Sequence, residues 1–281
     1  MKVKVTVAMD NCVPISAKLP FLGEHGLSML LEIRGTQVLI DAGQSSAILN
    51  NLSLLDVAPS SIDMIAVSHG HYDHTAGLYH VLSHAKKKIP VYMHEEAFTP
   101  RFSLAGGQRR YIGLPHVKDQ LSTLGADWRL IREPLEFLPG LWLSGSVPRT
   151  TSYETGDDKL VIHDAGCGCD CQDDIIDDMA LFYKGDKGLV VISGCTHSGL
   201  VNTVKHGLAV TQSQRLHGWI GGTHLGPVAG DQQKQTIEQL QTFQPDFVAA
   251  NHCTGFQMMA KLQHAFGERF IPAFVGAVIE F

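Results

Sequence analysis

Within Ser68-His69-Gly70-His71-Tyr72-Asp73-His74 the chain places three imidazoles and a carboxylate, directly after the short apolar run Met64-Ile65-Ala66-Val67. The run reads as a buried strand, and a loop leaving its end can turn all four side chains toward one point. A lone histidine is more often a packing residue than a ligand. Four ligand-type residues on one turn are hard to explain by packing, and neutral imidazole with carboxylate suits zinc, manganese or iron.

Strand and helix patterns alternate along the 281 residues, which predicts an α/β fold built in layers. Strands are expected at about 2–8, 28–33, 37–41, 63–67, 90–93, 128–131, 141–143, 179–184, 188–193, 217–220, 246–250 and 271–274. Helices fit Ser45 to Leu55, Gly77 to His84, Leu200 to Thr211, Asp231 to Phe243 and Gln257 to Phe266. In the first, Ile48, Leu49, Leu52 and Leu55 share one face; in the fourth, Asp231 is the expected N-cap and Ile237, Leu240 and Phe243 the buried stripe. Two halves emerge with a seam expected between Thr155 and Asp170, yet the length suits one domain over 1–281. The stretch from about 95 to 148 breaks the pattern and carries Gly106-Gly107-Gln108-Arg109-Arg110-Tyr111, so it is expected to be an insertion that shapes a pocket.

A hydrophobic content of 44% against 18% charged residues excludes a disordered chain, and a net charge of -6 argues against a nucleic-acid polymer as partner. Fifteen histidines against 22 lysines and arginines is a high count that anticipates a metal enzyme. Met1-Lys2-Val3-Lys4-Val5-Thr6-Val7 alternates at period two and reads as a strand, not a signal peptide. No apolar run approaches the roughly 20 residues that span a bilayer. The expectation is a soluble cytoplasmic protein with no membrane partner and reduced cysteines. Cys167-Gly168-Cys169-Asp170-Cys171 lacks the spacing of common zinc or iron–sulfur loops and reads as a reduced surface loop. Lys86-Lys87-Lys88 reads as a solvated helix tail.

His69-x-His71-x-Asp73-His74 after a strand resembles the signature of the metallo-β-lactamase superfamily, and further landmarks follow in that superfamily's order. They are Gln37-Val38-Leu39-Ile40 running into Asp41-Ala42-Gly43, Gly194-Cys195-Thr196-His197 after Leu189 to Ser193, and Asn251-His252 after Asp246 to Ala250. More narrowly, Gly23-Glu24-His25-Gly26-Leu27-Ser28, Asp177-Asp178-Met179-Ala180-Leu181, Gly221-Gly222-Thr223-His224-Leu225 and His252-Cys253-Thr254-Gly255 resemble one branch. That branch holds the archaeal 7,8-dihydropterin-6-methyl-4-(β-D-ribofuranosyl)aminobenzene 5'-phosphate synthase-like proteins. The resemblance spans nearly the whole chain. It implies a four-layer αββα sandwich whose site lies at the edge where two sheets meet.

Carried over residue by residue, the superfamily pattern implies that His69 and His71 bind a first metal and Asp73 and His74 a second. His252 completes the second site, and His197 is the next ligand in rank. Zinc is the implied ion, one or two of them, with manganese or iron as alternatives. A second ion roughly 3.5–4 Å from the first lets one hydroxide bridge a binuclear centre. With a single ion, Asp73 becomes the base for the attacking water. The pattern departs where the second half would supply a bridging Gly-Asp, because the strand here runs into Gly194-Cys195. His197, Cys195 and Asp178 are the candidates to fill that gap, with His163 a further candidate for the first site. Asp41 resembles the acid that holds a ligand imidazole by its distal N–H, and an Asx turn at Asp41-Ala42-Gly43 is compatible with that role. His25 and His224 resemble substrate-binding positions of the branch, with ordinary loop histidines as the alternative. His80, His84, His94, His116, His206, His217 and His264 read as surface or packing residues.

The leading expectation is a metal-dependent hydrolase, in which a metal-held hydroxide attacks a phosphoester or a cyclic ester or amide. The branch adds a rival, a pterin-related synthase using the metal as Lewis acid. A flavodiiron-type redox enzyme would need a bridging carboxylate and a flavin domain, and neither is visible. A non-catalytic metal- or ligand-binding module is the remaining alternative. The expected partner is a small molecule, phosphorylated or pterin-like, and the oligomeric state is not legible.

Overall fold

The computed structural model describes residues 2–164, 166 and 168–281. The chain divides into two compact units. The first comprises the residues up to Ser103, Arg109–Leu130 and Phe274–Phe281; the second comprises Leu104–Gln108 and Ile131–Ala273.

The first unit runs through β1 (Lys4–Met9), β2 (Ser28–Ile33), β3 (Thr36–Ile40), α1 (Ala47–Leu54), β4 (Met64–Ala66), α2 (Tyr72–Thr75), α3 (Leu78–Ala85), β5 (Ile89–His94), β6 (Arg101–Ser103), β7 (Arg110–Tyr111), α4 (Lys118–Thr123) and β8 (Ala126–Ile131). The second holds β9 (Leu135–Leu138), β10 (Leu141–Leu143), β11 (Leu160–Asp164), β12 (Cys169–Gln172), β13 (Ala180–Gly185), β14 (Gly188–Ser193), α5 (Leu200–Thr211), β15 (Leu216–Gly221), α6 (Gly230–Thr242), β16 (Phe247–Ala250), α7 (Phe256–Phe266) and β17 (Phe270–Pro272). The chain then returns to the first unit with β18 (Val278–Glu280).

The first unit's sheet has the order β18-β1-β2-β3-β4-β5-β8. β2 and β3 form a hairpin around Arg34-Gly35, both at positive φ (52° and 79°), the backbone that a two-residue hairpin loop demands. β3, β4 and β5 are parallel, so their connections must cross over through helices. α1 and α3 serve, burying Ile48, Leu52, Leu78, Val81 and Leu82 in one cluster with Leu39, Ile65 and Val91. Each such side chain contributes about 1.5–3 kcal/mol on burial. The arrangement brings Asp41-Ala42-Gly43 and Ser68 to His74 to the carboxyl ends of adjacent parallel strands, where α/β sheets place ligands.

The second unit's sheet has the order β17-β16-β15-β14-β13-β10-β9, with β14 to β17 parallel. α5 spans the residues expected of it. In α6, Ala229 is the N-cap and Asp231 lies within the first turn, so the expected Asp231 cap is corrected by two residues. Leu240 is buried there, with Ile237 and Phe243 half-buried. The stretch 95–148 is distributed: β6, β7, α4 and β8 belong to the first unit, while β9 and β10 extend the second sheet through pairing of β10 with β13. That pairing also moves the division of the chain to Leu130, upstream of the expected seam.

Of the cysteine run, Cys167 lies outside the described residues. Cys169 is disulfide-bonded and Cys171 is a thiol, which corrects the expectation of a reduced loop. Cys169 and Cys171 lie on β12, which pairs antiparallel with β11. No described helix is long and apolar enough to cross a membrane.

Candidate metal-binding site

In the first unit the chain leaves β4 and turns outward through Ser68, His69 and Gly70. A Cβ on Gly70 would lie 2.0 Å from the Ala97 carbonyl oxygen, so the loop passes there only without a side chain. His71 (φ -69°, ψ 147°) caps the single turn of α2, which carries Asp73 and His74. Three backbone bonds fix that turn. Leu27 N–H donates to the Asp73 carbonyl at 3.2 Å, Ala42 N–H to that of His74 at 2.8 Å, and Tyr72 N–H to that of Ile112 at 2.9 Å.

His69, His71, Asp73 and His74 are each at most 7% exposed. His69 Nε2 and His71 Nδ1 stand 3.0 Å apart, the rings of His69 and His74 4.2 Å, and Asp73 Oδ2 3.8 Å from His74 Nε2. Asp41, fully buried and at φ 57°, orders the group from behind. Its Oδ1 accepts the Ser68 N–H at 2.7 Å, and its Oδ2 accepts both the Ser68 hydroxyl and the His74 Nδ1–H at 2.7 Å. Because the Ser68 hydroxyl proton is committed to Asp41, its oxygen accepts from His69 Nδ1 at 2.9 Å. Both imidazoles are thereby held in the tautomer whose Nε2 carries the lone pair, which fits a divalent cation. His25 is half exposed, its Nε2 3.3 Å from Asp73 Oδ2 and its Nδ1 3.3 Å from Asn11 Nδ2.

In the second unit β14, β15 and β16 end in register, Ser193 beside Gly221 beside Ala250. The residues just beyond these ends form two groups whose ligand atoms lie within 4.8 Å of one another: Cys195 with His197 and His224, and Cys195 with His252 and Cys253. Thr196, His224 and His252 have φ of 64°, 45° and 48°, left-handed backbone that costs a non-glycine residue about 1–2 kcal/mol. Such strain collects where a site requires it. The loop after β14 is braced from below. Arg149 donates to the His197 carbonyl at 3.0 Å, Asp178 Oδ2 accepts the Ser198 N–H at 2.9 Å, and Glu154 accepts the N–H groups of Val201 and Asn202 at 2.9 and 3.0 Å. Burial pushes the Asp178 and Glu154 carboxyls up. His224 lies 4.1 Å ring to ring from His197, and 3.7 Å separate its Nε2 from Asp157, an ion pair rather than a hydrogen bond. Burial pulls its pKa down, but Asp157 and Cys253 outweigh that and push it up to about 9.

The sequence model of the metallo-beta-lactamase superfamily matches residues 23–170, just over half of the chain. The chain belongs to this superfamily. It is 30% identical over 284 residues to the 7,8-dihydropterin-6-methyl-4-(beta-D-ribofuranosyl)-aminobenzene-5'-phosphate synthase of Methanocaldococcus jannaschii, covering 93% of this chain and 92% of that one. An uncharacterised protein of the same archaeon is 32% identical over 275 residues, covering 98% and 99%. Among solved structures, Tm1679, described as a metal-dependent hydrolase of the beta-lactamase superfamily, matches with a TM-score of 0.84 at 23% identity, covering 99% of both chains. The fold is thus the mixed α/β fold of metallo-β-lactamase proteins.

Superfamily members bind metal ions, and both units of this one carry ligand-type residues that could hold one. His69, His71, Asp73 and His74 stand with Asp41 in the first; Cys195, His197, His224, His252 and Cys253 stand in the second. Asp178 turns its carboxylate to the backbone and joins no ligand group among the described residues. His163 pairs with Asp170 at 3.2 Å on the exposed β11–β12 hairpin and likewise joins none of them. Sequence reasoning passed over Cys253 as a ligand, although its adjacency to His252 was the available signal.

Proposed function

We propose that the protein is a metal-dependent hydrolase acting on a small phosphoester or cyclic ester or amide. Its metal ligands are His69, His71, Asp73, His74, His197 and His252, and zinc, as one or two ions, is the group they hold. The reading rests chiefly on the hydrogen-bonded chain through Asp41, Ser68, His69 and His74, which presents two buried imidazoles in ligating form. Divalent ions held there would supply Lewis acidity for activating a water and countering charge that develops on the substrate.

The chain's own residues have separate tasks. Asp41 keeps the imidazoles in the correct tautomer and orientation. Asp73, its Oδ2 3.3 Å from His25 Nε2, would be the base for the attacking water if a single ion were held. His25 and His224 meet polar or anionic groups of the substrate, which the similarity to the archaeal synthase suggests is phosphorylated or pterin-like. The cytoplasm is the proposed compartment. Zinc- or manganese-loaded protein, tested on phosphodiesters, phosphomonoesters and lactones, should turn over at least one class, and His71→Ala should lose metal loading and turnover together. Full metal occupancy with no hydrolysis of any class would reject the reading.

A second reading is a condensing synthase that joins a pterin-type ring to a ribosyl-aminobenzene phosphate. The 30% identity over 93% of the chain to the archaeal synthase favours it. Formation of a condensation product without hydrolysis of the phosphoester panel would select this reading.

A further inference from the structure

Cys195 and Cys253 follow the carboxyl ends of β14 and β16, and both are reduced thiols. Their sulfur atoms and a ring nitrogen of His252 lie within 4.8 Å of one another. Room for this is made by Gly222, past the end of β15, where an added Cβ would stand 2.6 Å from Cys253 Sγ. The His224 backbone N–H donates to Cys253 Sγ at 3.2 Å, and the Cys253 thiol in turn donates to the Cys195 carbonyl at 3.7 Å. Cys195 moreover occupies the position at which the superfamily pattern has the bridging carboxylate. The ligand atoms of that group are therefore two sulfurs and one nitrogen.

We propose that Cys195, Cys253 and His252 form a sulfur-rich metal-binding set that takes zinc through two thiolates and one imidazole. Zinc binds sulfur at about 2.3 Å and imidazole nitrogen at about 2.0–2.1 Å in a tetrahedral set. Closing the three ligand atoms around an ion requires side-chain shifts on the order of 1 Å from their present spacing. Both thiols lose their protons to solvent on binding, so uptake releases protons and tightens as pH rises. Thiolate ligation also makes the set selective, favouring zinc, cobalt or cadmium over manganese and magnesium. This goes beyond the hydrolase reading, which assigns no thiolate ligand, and it shares His252 with that reading.

The test uses the full chain, stripped of metal and kept reduced without added thiols, then loaded with zinc. X-ray absorption should show a Zn–S shell at about 2.3 Å beside the nitrogen and oxygen shell. Cobalt loading should produce a sulfur-to-cobalt charge-transfer band in the near ultraviolet. Cys253→Ser should remove one of the two sulfurs and weaken zinc binding by more than the roughly 10–100-fold seen when an outer partner of a ligand is lost. Should that variant not fold, the native chain suffices: zinc should protect Cys195 and Cys253 from alkylation, and chelation should expose them. Zinc bound through nitrogen and oxygen alone, or alkylation indifferent to zinc, overturns this inference and leaves the imidazole centre standing. Failure to bind any ion overturns both.

Discussion

Asp41→Asn exchanges one oxygen of a fully buried carboxylate for NH2, and the left-handed backbone at φ 57° suits asparagine as well as aspartate. Three donors converge on the native group at 2.7 Å: the Ser68 N–H, the Ser68 hydroxyl and His74 Nδ1–H. The amide oxygen can keep the Ser68 N–H, which turns the NH2 toward Ser68 Oγ and His74 Nδ1. Without metal both neighbours adapt, the hydroxyl by rotating to accept and the imidazole by moving its proton to Nε2. With an ion on Nε2 the proton must stay on Nδ1, and two N–H donors then oppose each other. The penalty therefore falls on metal binding and not on the fold. Zinc affinity should drop about 10–100-fold, or about 1.4–2.8 kcal/mol, while the metal-free protein loses only about 1 kcal/mol. Competition against a chromophoric chelator measures the first and denaturant unfolding of chelated protein the second. Zinc affinity within about twofold of native, under 0.5 kcal/mol, would refute the reasoning.

Gly70→Ala forces a methyl to within 2.0 Å of the Ala97 carbonyl oxygen, so the ligand loop must shift. It should cost about 1–3 kcal/mol and weaken metal binding, and an unchanged melting temperature and zinc affinity would contradict this. Glu154→Gln tests a different support. Burial makes the folded state hold the Glu154 proton more tightly than the unfolded state, so this group's contribution to stability falls as pH rises above the ordinary glutamate range. The glutamine variant should lack that fall in unfolding free energy measured from pH 4 to 8, and an identical profile would contradict it. Chelation of metal-loaded protein should lower stability by about 4 kcal/mol when the free ion had been at a thousand times its Kd, as read by calorimetry with and without chelator.

What could be read in advance follows locality. β14 and α5 fall where expected because Leu189 to Ile192 form a continuous apolar run and Leu200, Val201 and Val204 repeat at helical spacing. The His69 to His74 set was legible for the same reason, since all its members lie on one turn. β6, β7, β9, β11, β12 and β18 were missed because they are short, each two to five residues long. Cys253 was passed over because its neighbours are set by the register Ser193–Gly221–Ala250 across three parallel strands, which no local pattern encodes. The seam was misplaced for a related reason: Leu141 to Leu143 pair with Leu181 to Tyr183, some forty residues on.

The central claim, that these imidazoles and Asp73 hold catalytic divalent ions, is tested most directly by anomalous diffraction at the zinc edge on zinc-grown crystals. The account predicts anomalous peaks at about 2.0–2.2 Å from nitrogens of His69 and His71 and from donor atoms of Asp73, His74 and His252. Ordered side chains at these positions with no anomalous peak among them, under saturating zinc, would contradict it.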